Sequence, residues 1–313
     1  MWFFTMILQA AAASEESVCV AFGETSAPLS VSGTPSIQSS GVAASRSHPG
    51  RFFTHDDAGG DATLHVFERT ASGAAYVGEQ AVRGAVNTDW EDIATGPCPA
   101  TIDAEWCLWI ADIGDNDKLR TSLDIWVIPD TMDAGAATAH CPLVYEEGKV
   151  YDAEAIFVSP EGTLRIVTKE GDGEAKIYRI DEPTCAGGAP QVLWREAEIF
   201  PGEEITGATM NAAGTAVVLR SLSSAWLWTG CDLVWADAPT RVDLGVQPQG
   251  EAVTFALDGT LVSTSEGDPL QMWETVCVES APLPCPTGCG CDAGAGALLV
   301  LVPLAWVRRG RRS

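Results

Sequence analysis

The chain has 313 residues, 46% of them apolar, so it is long enough to bury a large core. Its 43 acidic residues outnumber the 18 lysines and arginines, and the formal net charge is −25. This charge argues against nucleic acids and anionic membrane surfaces as partners, and it is compatible with bound cations.

The amino terminus and the cysteines predict an exported protein. An apolar run from Trp2 to Leu8 leads into four alanines, so residues 1–13 are predicted to be a signal peptide cleaved near Ala13. The run lacks the usual positive start, and a buried amino-terminal strand is the alternative. Ten cysteines without a CxxC pair favour an oxidising compartment.

A pattern of short strands recurs five times within residues 14–280, the predicted folded domain. The first strand of each repeat carries a small or acidic residue, namely Gly41, Asp92, Glu154, Gly207 and Glu251. The third strand carries an aromatic residue, namely Phe67, Trp126, Tyr178, Trp228 and Trp273. Repeats of four strands over roughly 40 to 60 residues predict an all-β fold, a β-propeller with four-stranded antiparallel blades.

Five repeats favour five blades. A sixth blade, built from residues 17–39 and the carboxy-terminal strands, is the alternative. The strand predicted at residues 17–22 could also complete the blade of the last repeat, and a disulfide between Cys19 and Cys277 would then join the two ends. Cys98 and Cys107 lie nine residues apart in one insertion and are the strongest predicted disulfide pair.

The carboxy terminus has the composition of a sorting signal. A Pro- and Cys-rich linker at 281–292 contains Gly288-Cys289-Gly290-Cys291, and residues 293–313 form an apolar segment with an arginine tail. The apolar run is shorter than the about 20 residues of a transmembrane helix, so a membrane anchor is a marginal interpretation. The order of these parts resembles MYXO-CTERM sorting signals, which implies cleavage near the cysteines and display at the cell surface.

Equivalent positions on the inner strands of a propeller line a central channel. The first strands would bring Asp92, Glu154 and Glu251 to one level. The ends of the second strands would add a ring of polar residues, with His55, Asp112, Lys169 and Arg220 among them. We therefore predict an acidic channel. The other predicted lining residues are Asp56, Glu91, Glu170 and Glu266, together with Glu251.

Converging carboxylates require cations nearby, because like charges raise one another's pKa. Oxygen ligands suit Ca²⁺, and one hypothesis is a calcium ion held by Asp92, Asp112, Asp115 and Glu154. The alternative is a network of ion pairs and water that involves Lys169 and Arg220.

Several motifs of the repeats resemble a group of secreted bacterial β-propellers over about residues 40–270. These motifs are Trp90-Glu91-Asp92-Ile93-Ala94, Asp112-Ile113-Gly114-Asp115-Asn116, Asp152-Ala153-Glu154-Ala155, Thr168-Lys169-Glu170 and Gly250-Glu251-Ala252. More loosely, the chain is similar to phytase-like and NHL or SMP-30-like propellers. Some of those bind calcium and hydrolyse phosphate or ester bonds, but the looser likeness implies only a fold.

Two functions remain open at this point. A surface module that binds a small molecule or a surface protein is favoured, because a propeller face offers long variable loops. The alternative is a metal-assisted hydrolase of phosphate or carboxyl esters, with His55 as base and with Lys169 and Arg220 holding the anion. Contact with a membrane is expected only through the carboxy-terminal segment.

Overall fold

The computed structural model describes residues 17–132, 138–267 and 269–282, which form 21 β-strands and one 3₁₀ turn. The predicted signal peptide, sorting motif and apolar tail lie outside these ranges. The described residues contain no helix with the length and hydropathy of a membrane-spanning segment.

The strands form five antiparallel meanders of four strands each. The first strands are β3 (Ser39–Ala44), β7 (Trp90–Pro97), β11 (Ala153–Val158), β15 (Gly207–Met210) and β19 (Gly250–Phe255). The second strands are β4 (Arg51–Asp56), β8 (Trp106–Asp112), β12 (Leu164–Thr168), β16 (Ala216–Arg220) and β20 (Leu261–Ser265). The third strands are β5 (Thr63–Thr70), β9 (Leu123–Pro129), β13 (Ala175–Ile180), β17 (Ala225–Thr229) and β21 (Gln271–Pro282).

The fourth strand of each meander lies at its outer edge. These strands are β6 (Gly73–Ala81), β10 (Ala139–Tyr145), β14 (Gln191–Ile199), β18 (Thr240–Val242) and, from the amino-terminal end, β1 (Ser17–Thr25). A short strand, β2 (Ser30–Ser32), adds to β6 in parallel. Strands β10 and β14 also pair in parallel, which joins the second and third meanders into one eight-stranded sheet.

The first strands surround a common axis. Each of them contacts the next in the cyclic order β3, β7, β11, β15, β19 and back to β3. They are buried on both faces along nearly all of their length, as small and apolar sequences such as SSGVAA and AEAIFV favour. The all-β propeller prediction is confirmed by this arrangement.

The ring closes where the two ends of the described chain meet. Strand β1 pairs antiparallel with β21, so that Ser17 lies opposite Pro282, and a disulfide links Cys19 to Cys277. The predicted closure and its disulfide are confirmed. The Cys98–Cys107 disulfide is confirmed as well, and a third bond, Cys141–Cys185, was not foreseen.

Four of the five third-strand aromatics, Phe67, Trp126, Tyr178 and Trp228, lie in apolar clusters shared between neighbouring meanders, as predicted. Tyr178 packs with residues of the second meander, such as Trp109, and Trp228 packs with residues of the third, such as Phe157. Trp126 is the most exposed member of the set, and it stacks on His140 with 4.2 Å between ring centroids.

Candidate cation site at the channel mouth

A β-bulge at the start of three first strands shapes one mouth of the channel. In β7, Trp90 pairs with Asp112 and Asp92 with Ala111, so Glu91 is the extra residue. The same shift leaves Glu154 extra in β11 and Glu251 extra in β19. A bulge re-aims the side chain of the extra residue, and these three glutamates occupy equivalent positions. All three are buried, with exposures of 5%, 6% and 8% in chain order.

The bulge corrects the predicted register by one residue, because Glu91 and not Asp92 is equivalent to Glu154. Asp92 is fully buried. Its Oδ1 accepts a hydrogen bond from Ile93 N at 2.8 Å, and its Oδ2 accepts from Ile156 N at 2.9 Å and from Ala208 N at 3.2 Å. Burial raises the pKa of Asp92 well above its usual value, and these hydrogen bonds offset part of that rise. Asp92 therefore connects three first strands across the axis of the ring, and its carboxylate is occupied by main-chain N–H groups.

Three carboxylates converge at the mouth. The ligand oxygens of Asp57, Asp89 and Glu91 all lie within 4.8 Å of one another. Asp57 follows β4 and Asp89 precedes β7, so both belong to loops at the same end of the ring. Gly114 lies directly against this group, because a Cβ at that position would collide with Glu91 Oε1 and with the carboxylate of Asp89.

The sequence prediction missed Asp57 and Asp89 and assigned Glu91 only to the channel lining. Asp57 lies in the motif Thr54-His55-Asp56-Asp57, and Asp89 stands immediately before Trp90. Acidic residues on both sides of Trp90 are the signal that could have identified this cluster. The four predicted calcium ligands form no such group among the residues described.

Two of those predicted ligands instead hold the loops that carry the site. Asp112 is buried, and its carboxylate accepts hydrogen bonds from Thr88 N at 3.2 Å and Asp89 N at 3.1 Å. It also pairs with Arg120 Nη1 at 2.7 Å. Asp115 accepts hydrogen bonds from the main-chain N–H groups of residues 119 and 120, both at 2.8 Å. Both aspartates are positioning residues of the mouth.

Burial and like charges raise the pKa values of the carboxyl groups at the mouth. Burial, followed by the charges of Glu154, Asp57 and Asp89, raises the pKa of Glu91 to about 10. Burial and the charge of Asp57 raise the pKa of Asp89 to about 6. Glu91 and Asp89 therefore bind protons more strongly than ordinary carboxyl groups, because they are buried close to other carboxylates.

A lysine partly neutralises the neighbouring wall of the mouth. Lys169 pairs with Glu154. Burial is the largest influence on Lys169 and lowers its pKa, but Glu154, Asp152 and Glu91 together raise it above the usual value. Burial raises the pKa of Glu154 to about 8 although Lys169 opposes the rise, and burial also raises the pKa of Glu251 to about 7.

The remaining predicted lining residues have partners of their own. Asp56 accepts a hydrogen bond from Gln38 N at 2.9 Å and pairs with His65 at 3.0 Å. Glu170 pairs with Lys118 at 3.1 Å, and Glu266 accepts a hydrogen bond from Gln249 at 2.6 Å. Burial raises the pKa of Glu266, and the charge of Asp57 raises it further.

His55 and Arg220 lie in the protein interior, with exposures of 0% and 1%. His55 Nδ1 lies 3.1 Å from the carbonyl oxygen of Asp56, and the His55 ring meets Trp90 edge-on. Burial lowers the pKa of His55 to about 4, so the imidazole is neutral at pH 7. Neither residue is presented to a substrate in the channel as the hydrolase hypothesis requires.

Arg220 donates hydrogen bonds to carbonyl groups of the fourth and fifth meanders. Its Nε donates to Ser221 O at 3.0 Å, and its Nη1 donates to Ala252 O at 3.1 Å and to Gln247 Oε1 at 3.0 Å. Gly250 is required beside it, because a Cβ there would overlap the guanidinium. The Arg220 guanidinium is thus occupied by main-chain carbonyls and the Gln247 amide, and it is not available to bind an anion.

The channel is too narrow for a ligand at the opposite mouth. The space enclosed by the far ends of the five first strands is only about 10 Å³ and is lined by residues such as Val158 and Phe255. Arg46 also borders it and donates a hydrogen bond to Met210 O at 3.5 Å. Access to the carboxylates is therefore from the end that carries Asp57 and Asp89.

Comparisons with known proteins give distant structural likenesses only. No family model matches the chain, and no curated protein matches it. The PQQ-bound aldose sugar dehydrogenase of Streptomyces coelicolor is 12% identical, with a TM-score of 0.48 over 82% of this chain and 99% of that one. U3-55K is 13% identical, with a TM-score of 0.35 over 76% of this chain and 67% of that one. The RRP9 WD40 repeats are also 13% identical, with a TM-score of 0.36 over 76% of this chain and 66% of that one.

Proposed function

We propose that the propeller is a ligand-binding module whose channel mouth holds a divalent cation, with Ca²⁺ as the preferred ion. The observation that carries this proposal is the convergence of Asp57, Asp89 and Glu91, whose ligand oxygens lie within 4.8 Å of one another. Ca²⁺ binds its oxygens at about 2.3–2.6 Å, so two ligands of one ion are at most about 5 Å apart. The three oxygens satisfy that limit.

The charges around the site favour an ion over an internal network of ion pairs. Lys169 pairs with Glu154, and Arg120 pairs with Asp112. Within the described ranges, no lysine, arginine or histidine forms an ion pair with any of the three converging carboxylates. A divalent cation would supply the missing positive charge and would stabilise their ionised forms.

A cation at this site would also provide the means of binding a ligand. Three protein oxygens leave roughly three or more positions of the usual six to eight for water or for oxygens of a ligand. Because the opposite mouth is too narrow for a ligand, a ligand would approach from the face that carries Asp57 and Asp89. Carboxylate, phosphate and hydroxyl oxygens are the groups that such an ion would accept.

Calorimetric titration tests this function. Protein freed of metal by chelator is titrated with CaCl₂ and then with MgCl₂, and its thermal midpoint is measured in calcium and in chelator. We expect about one Ca²⁺ per chain, and a gain in stability of about 2.7 kcal/mol at a free concentration of 100 Kd. Asp89→Asn should weaken binding about tenfold or more, while Asp117→Asn, an exposed aspartate of the next loop, should leave binding unchanged. Absence of calcium binding, or equal binding by Asp89→Asn, would contradict the proposal.

We propose further that the protein works outside the cytosol. Three disulfides among the described cysteines support this proposal, because such bonds persist mainly in oxidising compartments. Trapping of thiols in the producing cells, followed by electrophoresis without reductant, tests the location. Oxidised cysteines in protein from the cell surface are expected, and a pool of fully reduced protein in the cytosol would contradict the proposal.

A further inference from the structure

A second cavity lies far along the sheets from the channel, between the outer strands of the third and fourth meanders. It has a volume of about 520 Å³, within the range of about 300–1,000 Å³ usual for small-molecule sites. The end of β14 forms one wall, and β17 with the segment that leads to β18 forms the other. Its lining is unusually aromatic, with Trp226, Trp228, Trp235 and Phe200.

Two of the three indoles are fixed by hydrogen bonds. Trp228 Nε1 donates to Asp237 O at 3.1 Å, and Trp235 Nε1 donates to Glu196 Oε1 at 3.4 Å. The rings of Trp228 and Trp235 also meet at a steep angle, with 5.5 Å between their centroids. The aromatic wall is therefore preorganised, which reduces the entropy lost when a ligand binds.

Trp226 differs from these two indoles. It is 8% exposed, and its N–H has no acceptor among the residues described here. The Trp226 Nε1 atom is also not among the fully buried polar atoms, so the cavity presents an accessible donor that a ligand oxygen could accept from.

Charged side chains supply both kinds of hydrogen-bonding group at the rim. Glu198 and Asp237 offer acceptors, and Arg241 offers donors. Arg241 is held in place by a 2.5 Å hydrogen bond from its Nη2 to Ser224 Oγ, while its side chain remains 69% exposed. Phe200 is 73% exposed, so its ring is available to a ligand.

From these features we propose that the cavity is a saccharide-binding site. A pyranose presents a C–H face that stacks on aromatic rings and hydroxyl groups that donate as well as accept. Rings combined with carboxylates and a guanidinium match both properties, whereas a purely apolar ligand would leave the charged groups and the Trp226 N–H without partners. An organic cation would meet the rings and carboxylates but also the charge of Arg241. This inference does not depend on the cation site.

The full-length protein is titrated with cellotriose, chitotriose and trigalacturonate while tryptophan fluorescence is recorded. We expect at least one of these probes to bind saturably and to shift the emission of the cavity indoles. Phe200→Ala and Arg241→Met change exposed side chains, and each should weaken that binding about fivefold or more. Trp226→Phe keeps a ring but removes the N–H, and it should weaken binding without unfolding the protein.

The matched control is Trp194→Ala, which removes a 59% exposed tryptophan of β14 that does not line the cavity. It should leave the affinity for the saccharide unchanged. Failure of all three saccharides to bind would overturn the proposal. Binding of choline in their place, lost in Phe200→Ala, would overturn it in favour of a cage for organic cations.

Discussion

The carboxylate of Asp92 in β7 accepts a hydrogen bond of 2.9 Å from the main-chain N–H of Ile156 in β11. The next residue back along the chain, Glu91, carries its carboxylate to the channel mouth. The bulge between Trp90 and Asp92 separates the two acidic side chains in this way. One acidic residue therefore supports the ring and its neighbour contributes to the candidate site.

Asp92→Asn should destabilise the protein. Any change in the geometry of the channel mouth should be a secondary effect of this substitution. An amide cannot accept at both ends, so at least one of the three buried N–H groups would lose its partner. We expect a loss of about 1–3 kcal/mol in the free energy of unfolding, measured by denaturant titration. Asp117→Asn is the control and should change stability by less than about 0.5 kcal/mol.

Arg220→Lys should also be destabilising, because an ammonium group cannot reach the several acceptors that the planar guanidinium reaches. The carbonyl groups of Ser221 and Ala252 would then be left buried without all of their donors. We expect a loss of about 2–3 kcal/mol. The same change at Arg195, which is exposed, should be nearly neutral. An unchanged unfolding curve for Arg220→Lys would contradict the structural role.

The metal-free protein should lose stability as the pH rises from 6.5 to 8. The folded-state pKa values of Glu251 and Glu154, about 7 and about 8, lie above the unfolded value of about 4.3, so the folded state holds protons that the unfolded state has released. The stabilisation from these two protonated glutamates is fully present below the pKa of the unfolded state. It is lost as the pH rises through their pKa values in the folded state. Below pH 6.5 the buried His55 makes stability increase with pH, because its pKa is lower in the folded state than in the unfolded state.

Unfolding midpoints measured in chelator between pH 6.5 and 8 test this sign. Added calcium should flatten the decline, because the ion stabilises the ionised carboxylates that are otherwise destabilising. A midpoint that rises over the same interval in chelator would contradict the assigned directions.

Lys169→Met should increase the affinity for calcium. Lys169 pairs with Glu154 and also interacts with Glu91, so its positive charge opposes a cation at the mouth. Removal of one charge at this range should strengthen binding by about threefold to tenfold, as measured by calorimetry at constant salt. Lys149→Met removes an exposed lysine and serves as the control. Equal affinities for the two variants would show that Lys169 does not act on the site.

The repeat pattern predicted the propeller correctly, because strand length, turn residues and the recurring third-strand aromatic are local properties of the sequence. The register of the channel was wrong by one residue at Asp92. The second repeat also contains the insertion with Cys98 and Cys107, so its longer spacing could not reveal a shift of one residue at the bulge.

Residue types also could not distinguish binding groups from supporting ones. Asp112 and Asp115 resemble cation ligands in their sequence context, yet their oxygens accept hydrogen bonds from nearby main-chain N–H groups. Arg220 stands at the predicted channel position, yet the close approach of Gly250 encloses its side chain. These outcomes depend on main-chain contacts within the loops and between neighbouring meanders, which residue types alone do not encode.

The most direct test of the cation site is a crystal of the protein grown in calcium and compared with one grown in chelator. We predict a peak of electron density bounded by Asp57, Asp89 and Glu91, with oxygen ligands at about 2.3–2.6 Å. Replacement of calcium by manganese should give an anomalous signal at the same position. Density that refines as water in both crystals, with no anomalous signal, would contradict the proposed cation site.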